Sequence, residues 1–413
     1  MSYARGPAGR TPILYLIVGA NSMSALVRFM ALPFLALYLH VAVHASFAMA
    51  GLVVGIGSLS TVVAGLVLGP LSDHGSRVRV MLAGTALLGL CFVAEGLAST
   101  VGLFIALQVL VGIGFALEGP AFSALISDLT PPEERVPVFG WVYWGANVGA
   151  AFGPALGSLA GAGHHGLPFV LAGAVVLLLA AAGFVGLRRL PEHHIQAGVR
   201  PPLRHALRAL AAPLGDRVLF LYLVGQLVSG LAYVQLETTL GQYVGTHTAM
   251  GARLFGFMMA SNGLTVIALQ PIASRWLQTR SVVWSTIVGT GIMAVASLGY
   301  GVVRAPAAWI ANQVFLTVGE VVSAPVQQTV VSVLAPANRR ATYFTLQNLA
   351  FGFSQFAGPA LGGLLLQTVG KWAVFGGMAF FNSAALWFYW AGLKNDVRFR
   401  RPARDLSDAS VSL

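Results

Sequence analysis

Five ionisable side chains stand inside otherwise apolar stretches: Arg28, Glu95, Glu118, Glu237 and Glu320. A charge at the centre of a bilayer costs roughly 2.5–3.5 kcal/mol even on a lenient insertion scale, so such residues are paired or functional. Arg28 keeps its proton and needs an anion. Glu118 is the candidate partner, and the two serve equally as a structural ion pair or as part of a substrate site. Glu95 lies near the end of its stretch and is expected to reach the interface. Glu237 and Glu320 have no obvious basic partner. A carboxyl group withdrawn from water can exchange a proton near neutral pH. Glu320, near the middle of its stretch, and Glu237 are therefore the first proton-carrier candidates, followed by Glu118. The alternative for each is a neutral, hydrogen-bonded structural Glu. Polar and aromatic side chains nearby in the sequence could complete a substrate cavity with Arg28 and Glu118: Asn21, Tyr143, Asn147, Tyr233, Gln235, Gln313 and Gln347. Three acids against one Arg, with aromatic walls, suit a lipophilic cation through charge and cation–π contact.

The elements that hold these residues are membrane helices. Charged residues make up 9% of the 413-residue chain, against about 25% in soluble domains. A helix needs about 20 apolar residues to cross the hydrocarbon core. Twelve such runs begin near residues 13, 47, 80, 101, 137, 167, 218, 252, 282, 306, 341 and 372. They end near 39, 70, 98, 127, 161, 187, 244, 274, 303, 334, 367 and 393. The first is too long for a signal peptide, lacks a small-residue cleavage site and contains Arg28, so it is expected to stay in the mature chain. Of the 24 Lys and Arg, Arg253, Arg304 and Lys371 fall on one side of the spans and Arg28 inside one. All the others fall on the side of the two termini, which the positive-inside rule places in the cytoplasm, so the chain is expected in the cytoplasmic (inner) membrane.

The expected domains are a six-helix bundle over 1–187, a basic cytoplasmic linker over 188–217, a second bundle over 218–393 and a cytoplasmic tail over 394–413. A stretch from Pro202 to Ala211, with Arg204 and Arg208 one turn apart, could form a short surface helix or a basic tether. A shift of 205 residues relates the halves. Pro120 falls on Pro325, Pro131 on Pro336, Arg135 on Arg340 and Phe139 on Phe344. Gly153-Pro154-Ala155-Leu156-Gly157 falls on Gly358-Pro359-Ala360-Leu361-Gly362. A six-helix unit repeated in the same membrane orientation is the parallel-repeat plan of a secondary transporter.

With these features the chain resembles the major facilitator superfamily, and within it the twelve-helix drug–proton antiporters. The loop Gly69-Pro70-Leu71-Ser72-Asp73-His74-Gly75-Ser76-Arg77-Val78-Arg79 is similar to the superfamily's signature between spans 2 and 3. The family usually has a basic residue where His74 stands. The resemblance implies a gate at Asp73, Arg77 and Arg79, and a contact of this kind that forms in one state and breaks in another would act as one. Gly149 to Ser158 is similar to the antiporter signature of span 5. There Gly149, Gly153 and Gly157 give a smooth face for close helix approach, and Pro154 bends the span. In span 4 the family carries an Arg, linked to proton transfer, where this chain has Gln108; either coupling runs through other residues or the protein is not proton-driven. Arg28, Glu118, Glu237 and Glu320 fall one each on spans 1, 4, 7 and 10, the helices that line the central cavity in the superfamily.

The resemblance implies an all-α integral membrane fold of two pseudo-symmetric six-helix bundles. It also implies secondary active transport, a small-molecule substrate and the proton gradient as energy source. Proton-coupled efflux of lipophilic cations by a monomer is the expectation, with no cofactor, no metal site and no nucleic-acid partner. A proton-coupled importer, an amphiphile or lipid exporter and a transport-dead sensor are the alternatives. An enzyme is not expected, because the sequence has no His-Glu-x-x-His, no nucleophile elbow and no phosphate loop with its Lys. The lone Cys91 excludes an intrachain disulfide.

Overall fold

The computed structural model describes residues 12–68, 76–130, 135–162, 164–187, 211–277, 279–336, 339–396 and 399. The expected surface helix from Pro202 lies outside them apart from Ala211, as do Asp73 and His74 of the signature loop. The described residues form helices and no strands. Twelve spans appear at the places the apolar runs mark. The first is broken: α1 (Pro12–Ala31) passes through a short 3-10 turn at Leu32–Phe34 into α2 (Leu35–Val41). Then come α3 (Phe47–Leu68), α4 (Arg77–Leu97), α5 (Val101–Leu129), α6 (Arg135–Ala160) and α7 (Leu167–Leu187). The seventh span is also broken, with α8 (Arg217–Tyr233), a 3-10 turn at Val234–Leu236 and α9 (Thr239–His247). The last five are α10 (Ala252–Leu277), α11 (Val282–Val302), α12 (Pro306–Leu334), α13 (Arg340–Thr368) and α14 (Lys371–Leu393).

Ten of the twelve spans are long and apolar enough to cross a membrane by length and composition. The other two, α6 and α14, are as long, but their Gly, Asn, Trp and Tyr residues lower the mean hydropathy. Several helix starts are capped by side chains. Ser76 accepts from the backbone of Arg79, Thr100 from Leu103, Ser281 from Trp284, and Asp216 from Val218 and Leu219. Each satisfies backbone donors that a helix start leaves open.

The chain divides into two compact units, 1–45 with 56–198 and 46–55 with 199–413. In the first, α1 packs on α6 and α4 packs on both α5 and α7. In the second, α8 packs on α14 and α13, and α11 packs on α12 and α14. The second unit takes Ser46–Gly55 from the segment expected in the first bundle. The cause is glycine: Gly51 and Gly55 on α3 lie against the backbone oxygens of Pro359 and Phe356 on α13, where a Cβ would not fit.

The internal repeat has a physical counterpart within each unit. In the first, Gly149 and Gly153 of α6 lie against the backbone of α1 at Ala25–Leu26 and at Leu26–Met30, and Gly157 lies against Met30. In the second, Gly358 and Gly362 of α13 meet Val234, Gln235 and Thr239 around the break in the seventh span. Each Gly-Pro-x-x-Gly helix therefore leans on the broken helix of its own unit. The proline inside α6 and that inside α13 occupy matching places.

Candidate functional site: intramembrane carboxylates

The second unit holds two intramembrane acids with no base beside them among the described residues. Glu320 sits mid-way along α12. Its Oε1 accepts from the Tyr233 hydroxyl at 2.9 Å and its Oε2 from the Asn262 amide at 3.0 Å. The same Asn262 nitrogen donates to Thr317 Oγ1 at 2.8 Å. Three elements thus converge on one carboxyl: the end of α8, the middle of α10 and α12 itself. All its hydrogen-bonding partners are neutral. Glu237 follows the 3-10 turn of the seventh span, where Thr238 leaves helical geometry (φ −119°, ψ −82°). Glu237 lies within electrostatic range of Glu320, and among the described residues no side chain bonds its carboxyl. Helix breaks at corresponding places in two repeats are the usual location of ion sites in transporters. Here the break carries an acid.

The first unit contains the one intramembrane base. Arg28 donates from a single terminal nitrogen to both Glu118 oxygens, at 2.5 and 2.6 Å. Thr85 adds a hydrogen bond to Glu118 at 3.2 Å, and the guanidinium lies 5.1 Å from the Phe115 ring centroid. The sequence expectation that Arg28 finds its anion on the same half agrees with this geometry. Glu118 is already neutralised by charge and hydrogen bonding, which sets it apart from Glu237 and Glu320 among the proton-carrier candidates.

Glu95 is placed differently from its expectation. It is fully buried rather than at the interface, and its Oε1 accepts from Gln108 Nε2 at 2.5 Å. Helix α4 packs along α5 and α7, and this turns Glu95 inward even though it is near the helix end. Gln108 takes its place beside an acid, where the family's Arg would stand.

The cavity candidates separate. Tyr233 reaches Glu320. Gln235 is buried and engaged at both ends, donating to Gly358 O at 2.7 Å and accepting from Thr239 at 2.6 Å. It clamps the helix break to α13 and presents nothing to a substrate. Gln313 is fully buried and accepts from Tyr300 at 2.6 Å, inside an aromatic group with Trp309 and Phe375. Gln347 is likewise buried. Asn147 turns back to its own helix, donating to Tyr143 O at 2.8 Å, while Tyr143 itself is 62% exposed. Asn21 is half-buried. Residues absent from the expected set but present at the site are Asn262, Thr317 and Thr85. A polar side chain within an apolar run was the available signal for each.

Of the gate residues, Asp73 lies outside the described residues. Arg77 bonds the carboxylate of Asp128 and donates to Ala124 O at 3.1 Å, which ties the start of α4 to the end of α5. Arg79 closes the cap with Ser76 through its backbone. Gly153, Pro154 and Gly157 lie on the α1–α6 contact. A groove of about 800 Å³ at the Arg77–Asp128 end of α4, α5 and α7 is walled mainly by Leu, Val, Ala and Phe184 and includes none of the intramembrane acids.

The chain is similar to several transporters. It is 28% identical over 368 residues to the uncharacterized MFS-type transporter YqjV of Bacillus subtilis, covering 87% of each chain. It is 25% identical to a Na(+), Li(+), K(+)/H(+) antiporter of Planococcus maritimus, over 80% of this chain and 84% of the relative. It is 26% identical to the multidrug resistance protein MdtH of Yersinia enterocolitica, over 78% and 77%. Among solved structures, a peptide transporter POT aligns with a TM-score of 0.78 at 18% identity, over 94% of this chain and 95% of that one. A bacterial homolog of the human lysosomal transporter Spinster aligns with a TM-score of 0.75 at 16% identity, over 94% and 97%. The Major Facilitator Superfamily model matches residues 17–252 and 238–409, in keeping with the repeated six-helix unit and the twelve spans. The chain is an integral membrane transporter of the major facilitator superfamily.

Proposed function

We propose that the protein exports lipophilic monovalent cations in exchange for protons, by alternating access, from a cytoplasmic membrane in which both termini face the cytoplasm. The observation that carries this reading is the Glu320 site. Its carboxyl is held by two neutral donors, with Glu237 near and no base in contact among the described residues. A carboxyl so placed binds either a proton or a cation, and binding one disfavours the other. That competition is antiport. Tyr233 supplies an aromatic ring next to the charge, as a lipophilic cation requires. The relatives named as a multidrug resistance protein and as a cation/H(+) antiporter fall on the same side of the superfamily's range.

A small inorganic cation is the second reading, favoured by the compact oxygen set of Glu320 and Thr317 around Asn262. The test is ethidium efflux from proteoliposomes driven by a pH gradient, with and without Na⁺ or K⁺ opposite, for wild type and Glu320→Gln. Gradient-driven ethidium flux that disappears in the Gln variant supports the first reading. Flux of Na⁺ or K⁺ alone supports the second. Equal driven flux in both proteins removes Glu320 from the coupling step.

A further inference from the structure

The first unit contains an acid that neither the Arg28–Glu118 pair nor the Glu320 site uses. Glu95 is fully buried, two residues before the end of α4. Its Oε1 accepts one hydrogen bond, from Gln108, and its Oε2 is buried with no hydrogen-bond partner among the described residues. Groups beside Glu95, Gly96 and Gln108 come from several neighbouring elements. From the first span comes the Tyr38 hydroxyl, which donates to Gly96 O at 3.4 Å. From α4 itself comes the buried Cys91 thiol, within electrostatic range. From α3, Gly57 lies against Gln108 Oε1. Gly166, just before α7, and Val170 of α7 lie against the neighbouring Gly96, and Phe169 of α7 stacks on Tyr38; none of the three is ionisable. His164 and His165, in the loop before α7, are exposed. No cation is in contact with Glu95 among the described residues.

A carboxylate in this position would have a single neutral donor and no counter-charge. Such a burial is unfavourable unless the group is neutral or paired. Glu118 shows the paired solution in the same unit, with Arg28 on both oxygens. Glu95 has the other solution available. A proton on Oε2 makes the group neutral and leaves Oε1 as the acceptor that Gln108 already meets.

We propose that Glu95 is a second proton-binding site, housed in the first unit, where a proton stands in for a basic residue at position 108. The proton binds and leaves as the carboxyl changes between acid and carboxylate, with Gln108 as the positioning residue. Its part in coupling rests on the exchange reading above; the protonation itself does not.

The experiment is infrared difference spectroscopy of the full chain in phosphatidylethanolamine–phosphatidylglycerol vesicles. The proteins are wild type, Glu95→Gln, Gln108→Arg and Glu320→Gln. Wild type and Glu320→Gln should both show a protonated-carboxyl C=O band at neutral pH that Glu95→Gln lacks. The band should fade reversibly as the pH is raised. Gln108→Arg, which supplies the missing cation, should lose the band with Glu95 still present. A band absent from wild type, fixed at all accessible pH, or retained in Gln108→Arg would overturn the proposal. In parallel, gradient-driven ethidium efflux should drop at least tenfold in Glu95→Gln while gradient-free exchange persists. Wild-type driven efflux in Glu95→Gln would remove Glu95 from coupling. If wild type itself moves no ethidium, the function proposed above fails, and the infrared comparison still decides whether Glu95 binds the proton.

Discussion

Arg28 meets both oxygens of Glu118 through one nitrogen, and its Nε is buried without a partner. Removing one member of such a pair leaves the other charge buried and unmatched, which costs about 3–5 kcal/mol. Glu118→Gln and Arg28→Met are each expected to lower the thermal stability of the detergent-solubilised protein markedly. The double variant is expected to recover much of the loss, because no lone charge remains. A double variant no better than the worse single one would mean that the pair does more than neutralise charge.

The glycine contacts differ in what they face. A Cβ at Gly157 would strike the backbone oxygen of Met30, which cannot move without shifting α1. At Gly362 it would strike Gln235 Oε1 and Thr239 Oγ1, side-chain atoms of the clamp at the helix break, which can shift where a backbone oxygen cannot, at the cost of their hydrogen bond. Gly19 has open space around it. Overpacking of this kind costs about 1–3 kcal/mol. Thermal unfolding should rank Gly157→Ala as the most damaging, Gly362→Ala as intermediate and Gly19→Ala as near neutral. Equal effects at all three would contradict the packing account.

Tyr233 and Asn262 each donate to Glu320. A hydrogen bond to a charged acceptor is worth about 1.5–3 kcal/mol. Cation binding needs the ionised carboxyl, so Tyr233→Phe and Asn262→Ala should each weaken ethidium binding, and the loss should be greatest in acid, where a proton competes. Fluorescence titration at several pH values checks this. Unchanged affinity in both variants would place the cation elsewhere.

Asp73 falls between α3 and α4 in the sequence, outside the stretches that carry the intramembrane acids. Asp73→Asn is expected to slow gradient-driven flux several-fold while ethidium affinity stays close to wild type. If flux and affinity fall together, the residue serves binding and not gating.

Much was legible in the chain itself. The apolar runs mark the twelve spans to within about three residues, α6 and α14 at lower mean hydropathy than the other ten, because a helix in lipid must satisfy its own backbone and be largely apolar over the bilayer thickness. The 205-residue repeat and the Gly-Pro-x-x-Gly runs marked α6 and α13, whose glycines lie against the broken helix of their own unit, since a missing Cβ has a direct steric consequence. The Arg28–Glu118 pair was also readable, because a buried guanidinium must find an anion. Tertiary structure decided the rest. Whether Glu95 faces lipid, water or protein depends on the rotation of α4 against α5 and α7, and residue type does not encode that rotation. The same holds for Gln235 and Gln313, polar side chains that packing turned inward to hold helices together. The convergence of Tyr233 and Asn262 on Glu320 joins residues 87 and 58 positions apart in the chain. The break that sets Glu237 in the seventh span contains no proline. There, Gln235, Thr238 and Thr239 take up hydrogen bonds to helix backbone and to each other. These are contacts between segments, and they exist only once the helices have packed.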